Sequence, residues 1–400
     1  MKKQLFCTIF FVLLISVCFG QKPYKVVFYN LENFFDTIND PEVKDDEFTP
    51  EGPKKWNTAK YNKKLGNIER VLFGMAAIDK EYPIVIGVSE VENRNVLEDI
   101  VATPKLAPGN YRISHFDSPE ARGVDVAFLY RPDVFKLEGQ YPVKTVIPSL
   151  PDFKTRDILT MWGTIEDEPF FFMVAHWPSR LGGKDVSEFK RIAVGRQMRS
   201  IADSVLQANP ATKIVMMGDF NDDPTDKSIT EGLGAKLKMK DLSAGDLYAP
   251  YADMLKAGYG TLAYGDAWNI FDNIVISENL AKGSTGKLKI QKACRRLSEI
   301  CHHLQKKHHT DSQIHCVSDT DFSLQKPCSK GNLFFMQKVC HDQYRYGNDK
   351  HNHICPAKSH FQKLPHMTTR NPAYSKAGMN CTRYTFRAEK HPCETCHNES

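Results

Sequence analysis

Lys213-Ile214-Val215-Met216-Met217-Gly218-Asp219-Phe220-Asn221-Asp222-Asp223-Pro224 is an apolar run that ends in an acid and an amide. The β-branched and apolar residues predict a buried strand, and Asp223-Pro224 predicts the turn that follows it. In an extended chain, residues two apart point the same way, so Asp219 and Asn221 are expected to enter one cleft. An acceptor beside an amide suits the holding of a water or a developing charge. The competing reading is an Asx-turn that merely closes the strand.

Outward from this stretch the body alternates strands and helices. Strands are expected at Tyr24 to Asn30, Pro83 to Val88, Val124 to Tyr130 and Ile270 to Ile276, with a hairpin of Asp157 to Ile165 and Phe170 to Val174. Asn33 to Pro53 reads as an acidic surface loop. Helical spacing runs from Thr58 to Ile78, over Val91 to Val101, and through Val186 to Ala208 with Ile192, Met198, Ile201 and Val205 inward. Several strands neighbour one another with no helix between them, which predicts two packed sheets with helices outside.

Composition divides the 400 residues sharply. Lys2-Lys3, an apolar run from Leu5 to Val17 and Cys18-Phe19-Gly20 read as a secretory signal peptide over 1–20, with a lipoprotein anchor at Cys18 the weaker reading. The apolar run is short for a membrane span. Residues 21–293 hold no cysteine and two histidines, whereas 294–400 hold nine cysteines and twelve histidines. The tail carries 16 Lys/Arg against 9 Asp/Glu and the body 35 against 39, so the overall +5 gives no ground for a basic nucleic-acid surface on the body. A secreted or periplasmic location is expected, with no stable membrane span and a monomer favoured.

Polar side chains recur at the ends of separate strands: Asn30 with Glu32, Glu90, His176, Asp219 with Asn221, and Asp272. Asp272 lies in an apolar run, where a lone carboxylate is costly to bury and needs a partner or a metal. Amides and carboxylates gathered at strand ends fit a hard cation such as Mg²⁺.

Six segments, in this order, resemble the endonuclease/exonuclease/phosphatase superfamily, which includes pancreatic-type deoxyribonuclease and the apurinic endonucleases. They are Phe28-Tyr29-Asn30-Leu31-Glu32-Asn33, Ile86-Gly87-Val88-Ser89-Glu90-Val91-Glu92-Asn93, Arg122-Gly123-Val124-Asp125-Val126-Ala127-Phe128-Leu129-Tyr130, Ala175-His176-Trp177-Pro178-Ser179-Arg180, Gly218-Asp219-Phe220-Asn221 and Trp268-Asn269-Ile270-Phe271-Asp272-Asn273-Ile274. The resemblance is strongest to exported bacterial members. It implies a DNase I-like α/β fold, a four-layer α/β sandwich of two packed mixed β-sheets flanked by helices, over 21–293, followed by an irregular C-terminal tail. It implies a Mg²⁺-dependent phosphodiesterase (Mn²⁺ or Ca²⁺ in its place) acting on DNA or RNA, with a phosphatase or phospholipid-type diesterase as the alternative; no membrane-inserting apolar hairpin is evident. By position, Glu90 is the implied principal metal ligand, with Asn30 and Glu32 beside it. His176 is the implied hydrogen-bond donor to the scissile phosphate, and Asp219 and Asn221 place the attacking water and a phosphate oxygen. Asp272 is implied to pair with a histidine, and Arg122, Ser179 and Arg180 are implied phosphate contacts, with a solvated loop the competing reading for each.

The superfamily's closing Ser-Asp-His strand has no counterpart, since no Asp-His dipeptide occurs in the chain. The sequence turns instead at Ala293 into Cys294-Arg295-Arg296. The Cys/His-rich run beyond is either a shifted or joined reading frame, which would leave a non-catalytic product, or an appended module. Cys393-Glu394-Thr395-Cys396-His397 fits a c-type haem attachment pattern, and Cys340-His341 with His351, His353 and Cys355 fits zinc. The missing dipeptide predicts turnover far below that of intact family members; phosphodiester hydrolysis by the purified chain at family-like rates would contradict this.

Overall fold

Tyr24–Phe34 forms β1, whose Val26 and Phe28 face one way and Val27 the other. The computed structural model describes residues 24–77, 81–264 and 267–290, with further strands at 315–316, 332–337 and 340–341. The expected signal peptide over 1–20 and most of the tail, including the haem-type motif, lie outside the described residues.

In one sheet, β1 runs parallel to β2 (Val85–Val91), β2 is antiparallel to β4 (Asp125–Tyr130), and β3 (Arg112–His115) completes that side. The other sheet holds β5 (Lys136–Val143), β6 (Ile158–Ile165), β7 (Glu168–His176) and β8 (Lys213–Asp219), then β13 (Asp272–Ser277), β10 (Leu247–Tyr248) and β9 (Ala235–Lys236). β11 (Leu262–Tyr264) and β12 (Ala267–Asn269) form a separate hairpin. Three apolar layers result. Val26, Phe28, Val85, Phe128, Phe172, Val215 and Ile274 fill the space between the sheets. Ile68, Leu72 and Met75 of α1 (Thr58–Ala77) and Val96, Leu97 and Ile100 of α2 (Arg94–Ala102) cover the first sheet. Val194, Met198 and Ala202 of α3 (Lys184–Ala208) cover the second. This is the expected four-layer α/β sandwich.

The differences in detail have local causes. α2 starts at Arg94 because β2 continues to Val91 and the Asn93 side chain accepts Val96 N–H, capping the helix. α3 turns Val194, Gly195, Met198 and Ala202 fully inward, with Ile201 and Val205 packed against the same core as expected. Gly195 lies against the Ser228 carbonyl, so the helix approaches its neighbour where there is no side chain. β1 is also paired on its other side: Asn332–Gln337 (β16) runs parallel to it, with β14 (Lys289–Ile290) beyond. Backbone groups at a sheet edge seek such partners. His315–Cys316 (β15) and Cys340–His341 (β17) form a two-stranded ladder.

The parallel pairs place the site. β1 and β2 end on the same side, bringing Asn30 beside Ser89 and the neighbouring Glu90. β7 and β8 also end together, setting His176 opposite Asp219, and antiparallel β13 begins at that rim with Asp272 opposite Asp219. Gly218 permits this: a Cβ there would lie 1.9 Å from the Ala175 carbonyl oxygen, a backbone atom that cannot yield without unzipping β7 from β8. Gly218→Ala is therefore expected to lower stability by about 1–3 kcal/mol, read as a lower urea midpoint at unchanged slope.

Candidate functional site

Asp219 leaves β8 as an Asx-turn: its Oδ1 accepts the Asn221 N–H at 2.9 Å. Asn221 takes a left-handed φ of 51°, so the chain is no longer extended there and the two side chains diverge. The Asx-turn uses Oδ1 and leaves Oδ2 facing Asn30 and His176. The Asn221 amide donates to the Trp177 carbonyl at 3.0 Å and locks the loop after His176 onto the loop after Asp219. Trp177 is buried and stacks on Phe220 at 4.3 Å, which makes the floor rigid.

Above this floor, one oxygen each from Glu90 and Asp219 and one ring nitrogen of His176 lie within 4.8 Å of one another. His176 Nε2 is 3.9 Å from Glu90 Oε1 and 3.8 Å from Asp219 Oδ2. The Asn30 amide donates to Glu90 Oε1 at 3.2 Å and to Asp219 Oδ2 at 3.1 Å. Glu90 and Glu32 sit at left-handed φ values of 58° and 55°, uncommon for non-glycine residues and concentrated here at the rim. Asn30, Glu32, Asp219 and Asp272 line one pocket with Tyr29, Thr261, Leu262 and Phe271.

The electrostatics follow from burial. Burial, then the neighbouring Glu90 charge, pushes Asp219 up to about 6. Burial and Asp219 raise Asp272 well above the usual carboxylate range, opposed by a hydrogen bond with Thr261. Burial, with Arg156 and Arg122 adding to it, holds His176 well below the usual imidazole range, so the ring is neutral at physiological pH. Its Nδ1 is buried without a hydrogen-bond partner. Acidic oxygens crowded with a neutral imidazole suit a divalent cation. The Asn30 N–H bonds supply the partial positive charge that such an ion would supply in full.

Not every expected residue enters this group. Glu32 lines the pocket, but its carboxylate is not among the clustered ligand atoms. Ser179 is exposed. The Arg180 guanidinium is committed to Asp222, Asp223 and Asp226 at 3.0, 3.5 and 2.7 Å and stacks over Phe271, so it holds the framework. Arg122 pairs with Glu120 at 3.1 Å while its charge reaches His176. Sequence reasoning missed Arg156. It is buried, donates to the Trp177 carbonyl at 3.0 Å and lies 3.9 Å from Glu120; its Nε has no partner. Thr155-Arg156-Asp157 before β6 carries no periodic signal that could have marked it.

The model of the Endonuclease/Exonuclease/phosphatase family matches residues 25–308. The chain belongs to this family. Among solved structures, the human Nocturnin catalytic domain is similar at 17% identity, covering 56% of this chain and 77% of that one, with a TM-score of 0.38. The mannosyl-6-phosphatase Bt3783 of Bacteroides thetaiotaomicron is similar at 16% identity (63% and 84% covered, TM-score 0.40). A further endonuclease/exonuclease/phosphatase family protein from Bacteroides thetaiotaomicron is similar at 16% identity (63% and 82% covered, TM-score 0.41). Likenesses this distant do not speak to substrate. No curated protein matches the chain. Among the described residues, no helix is long and apolar enough to cross a membrane.

The raised Asp219 carboxyl gives a pH signature. Its stabilising share is fully present below its ordinary value of 3.8 and is lost as pH rises through about 6, where the charge appears beside Glu90. A divalent cation competes with that proton. The rise in Tm on adding Mg²⁺ is therefore expected to be small at pH 5 and to grow as pH passes 6. An equal rise at pH 5 and pH 8 would place the ion away from Asp219.

Proposed function

We propose that this family member is an exported Mg²⁺-dependent phosphodiesterase that hydrolyses DNA or RNA. The observation that supports it most is the convergence of Glu90, His176 and Asp219 ligand atoms within 4.8 Å, beside Asn30, at the ends of strands from both sheets. Glu90 and Asp219 would hold the ion, with Asn30 alongside and Glu32 at the pocket wall. Oxygen donors and few carboxylates fit Mg²⁺, and Mn²⁺ fits the imidazole equally. When bound, such an ion offsets the negative charge that builds on phosphate oxygens.

The chain's own groups do the rest. Neutral His176 would donate a hydrogen bond to a phosphate oxygen. Asp219, pushed up to about 6 where no ion offsets Glu90, is charged at neutral pH and would orient the attacking water beside the ion. Asn221 and Arg156 share the Trp177 carbonyl at 3.0 Å each, so they position the His176 loop. Export rests on the signal peptide read at 1–20.

Plasmid nicking tests the reading. Cleavage is expected with Mg²⁺, none with EDTA, and a loss of roughly 10²-fold or more in Glu90→Ala. Release of phosphate from inositol phosphates without nicking would instead make the chain a phosphatase of the same fold.

A further inference from the structure

β3 and β4 bring a second group of ligand atoms together, apart from the Glu90 centre. His115 ends β3 opposite Ala127, and Asp125 opens β4 two residues before Ala127. The two side chains therefore leave the same face of adjacent strands as diagonal neighbours. Asp117 follows on the connecting loop, and one ligand atom each of His115, Asp117 and Asp125 lies within 4.8 Å of the others. His115 Nε2 is 3.3 Å from Asp125 Oδ2, and both side chains are 4% exposed. Among the described residues, neither acid pairs with Lys or Arg, and Asp117 makes no hydrogen bond. Two carboxylates drawn this close, one of them buried, repel unless a cation stands between them. The 3.3 Å separation is long for a charge-assisted hydrogen bond, which closes to about 2.7–2.9 Å. It matches the edge of a tetrahedron about a metal with ligands at roughly 2.0–2.2 Å. Asp125 is already oriented for such a role: its Oδ1 accepts the Ser118 N–H at 2.9 Å and the Ser118 hydroxyl, which leaves Oδ2 for an ion. Asp117 is exposed and gives the ion its way in from solvent.

We propose that His115, Asp117 and Asp125 form a Zn²⁺ site, with water as the fourth ligand. One imidazole nitrogen and two carboxylate oxygens suit Zn²⁺ in tetrahedral coordination, and suit Ca²⁺, which wants more oxygens, poorly. The ligands stand at both ends of the β3–β4 loop. That loop carries Glu120, whose carboxylate lies 3.1 Å from Arg122 Nε and 3.9 Å from Arg156, and the charges of both arginines reach His176. An ion here fastens the loop and so fixes both cations beside the Glu90 centre. The inference does not rest on the phosphodiesterase reading, because none of its ligands belongs to the Glu90 cluster.

Hydrogen–deuterium exchange read by mass spectrometry on the full chain tests this. It keeps Arg112 to Val126 apart from any metal taken up by the Cys/His-rich tail, and Mg²⁺ in excess holds the Glu90 centre. Zn²⁺ is expected to slow exchange in that segment about tenfold or more, because it binds the closed loop and not the opened one. Asp117→Ala, at an exposed position, is expected to raise the Zn²⁺ concentration for half the effect roughly tenfold or more. Glu90→Gln is expected to leave that concentration within about twofold of the unaltered chain. His115→Phe, which keeps a ring but no ligand, is expected to behave as Asp117→Ala does. No slowing in the unaltered chain, an undiminished response in either ligand variant, or loss of the slowing in Glu90→Gln overturns the site.

Discussion

Crowding of buried acids at one rim is the constraint on which the rest of this molecule depends. Asp272 is buried and lies opposite the largely covered Asp219 on an adjacent antiparallel strand, and Glu90 reaches in from the other sheet. Left to themselves these groups repel, and burial removes the water that would screen them. The fold holds them together because the repulsion is small beside the apolar surface that the two sheets bury between them. Val26, Phe28, Phe172, Val215 and Ile274 fix the sheets face to face, and the rim must accept the charges that arrive there.

The floor beneath the charges resists relaxation. Trp177 is clamped between Phe220 and α3, its Nε1 directed to Met198 Sδ at 3.3 Å. Its carbonyl takes hydrogen bonds from both Asn221 and Arg156. A second, deeper lock lies behind: Asp222 is fully buried, ion-paired with buried Arg191 at 2.7 Å and bonded to the Ser228 hydroxyl at 2.6 Å. Removing one partner of such a pair strands a charge in the interior. The residues after Asp219 thus serve rigidity, and that rigidity keeps Asp219 Oδ2 turned toward His176.

Much of this was legible in the chain. β-branched runs bounded by Gly, Asp and Pro marked the central strands, since a strand buried on both faces has no other way to be written. The short or solvent-washed strands were not legible. β5, Lys136–Val143, mixes Lys, Glu, Gln and Pro and lies half-exposed at the sheet edge, so nothing in its pattern demands a strand. The start of α2 was misread by three residues because Val91 and Glu92 suit either state and only the Asn93 cap decides. For the site, residues at strand ends could be named because strand ends are visible. Arg156 could not, and Arg180 looked free, because the partners that define each lie 21 to 46 residues away.

The sequence by itself determined the alternation of elements, the break in composition near Ala293 and the polar residues that end each strand, because these are local patterns of side-chain chemistry. Only the tertiary structure decided that Asp219 gives one carboxylate oxygen to a turn and the other to Asn30, that Arg180 is tied to three acids, and that His115, Asp117 and Asp125 converge. Each depends on which charges and dipoles the packing brings within a few ångströms, and that distance is set by the sheets' register and not by spacing along the chain.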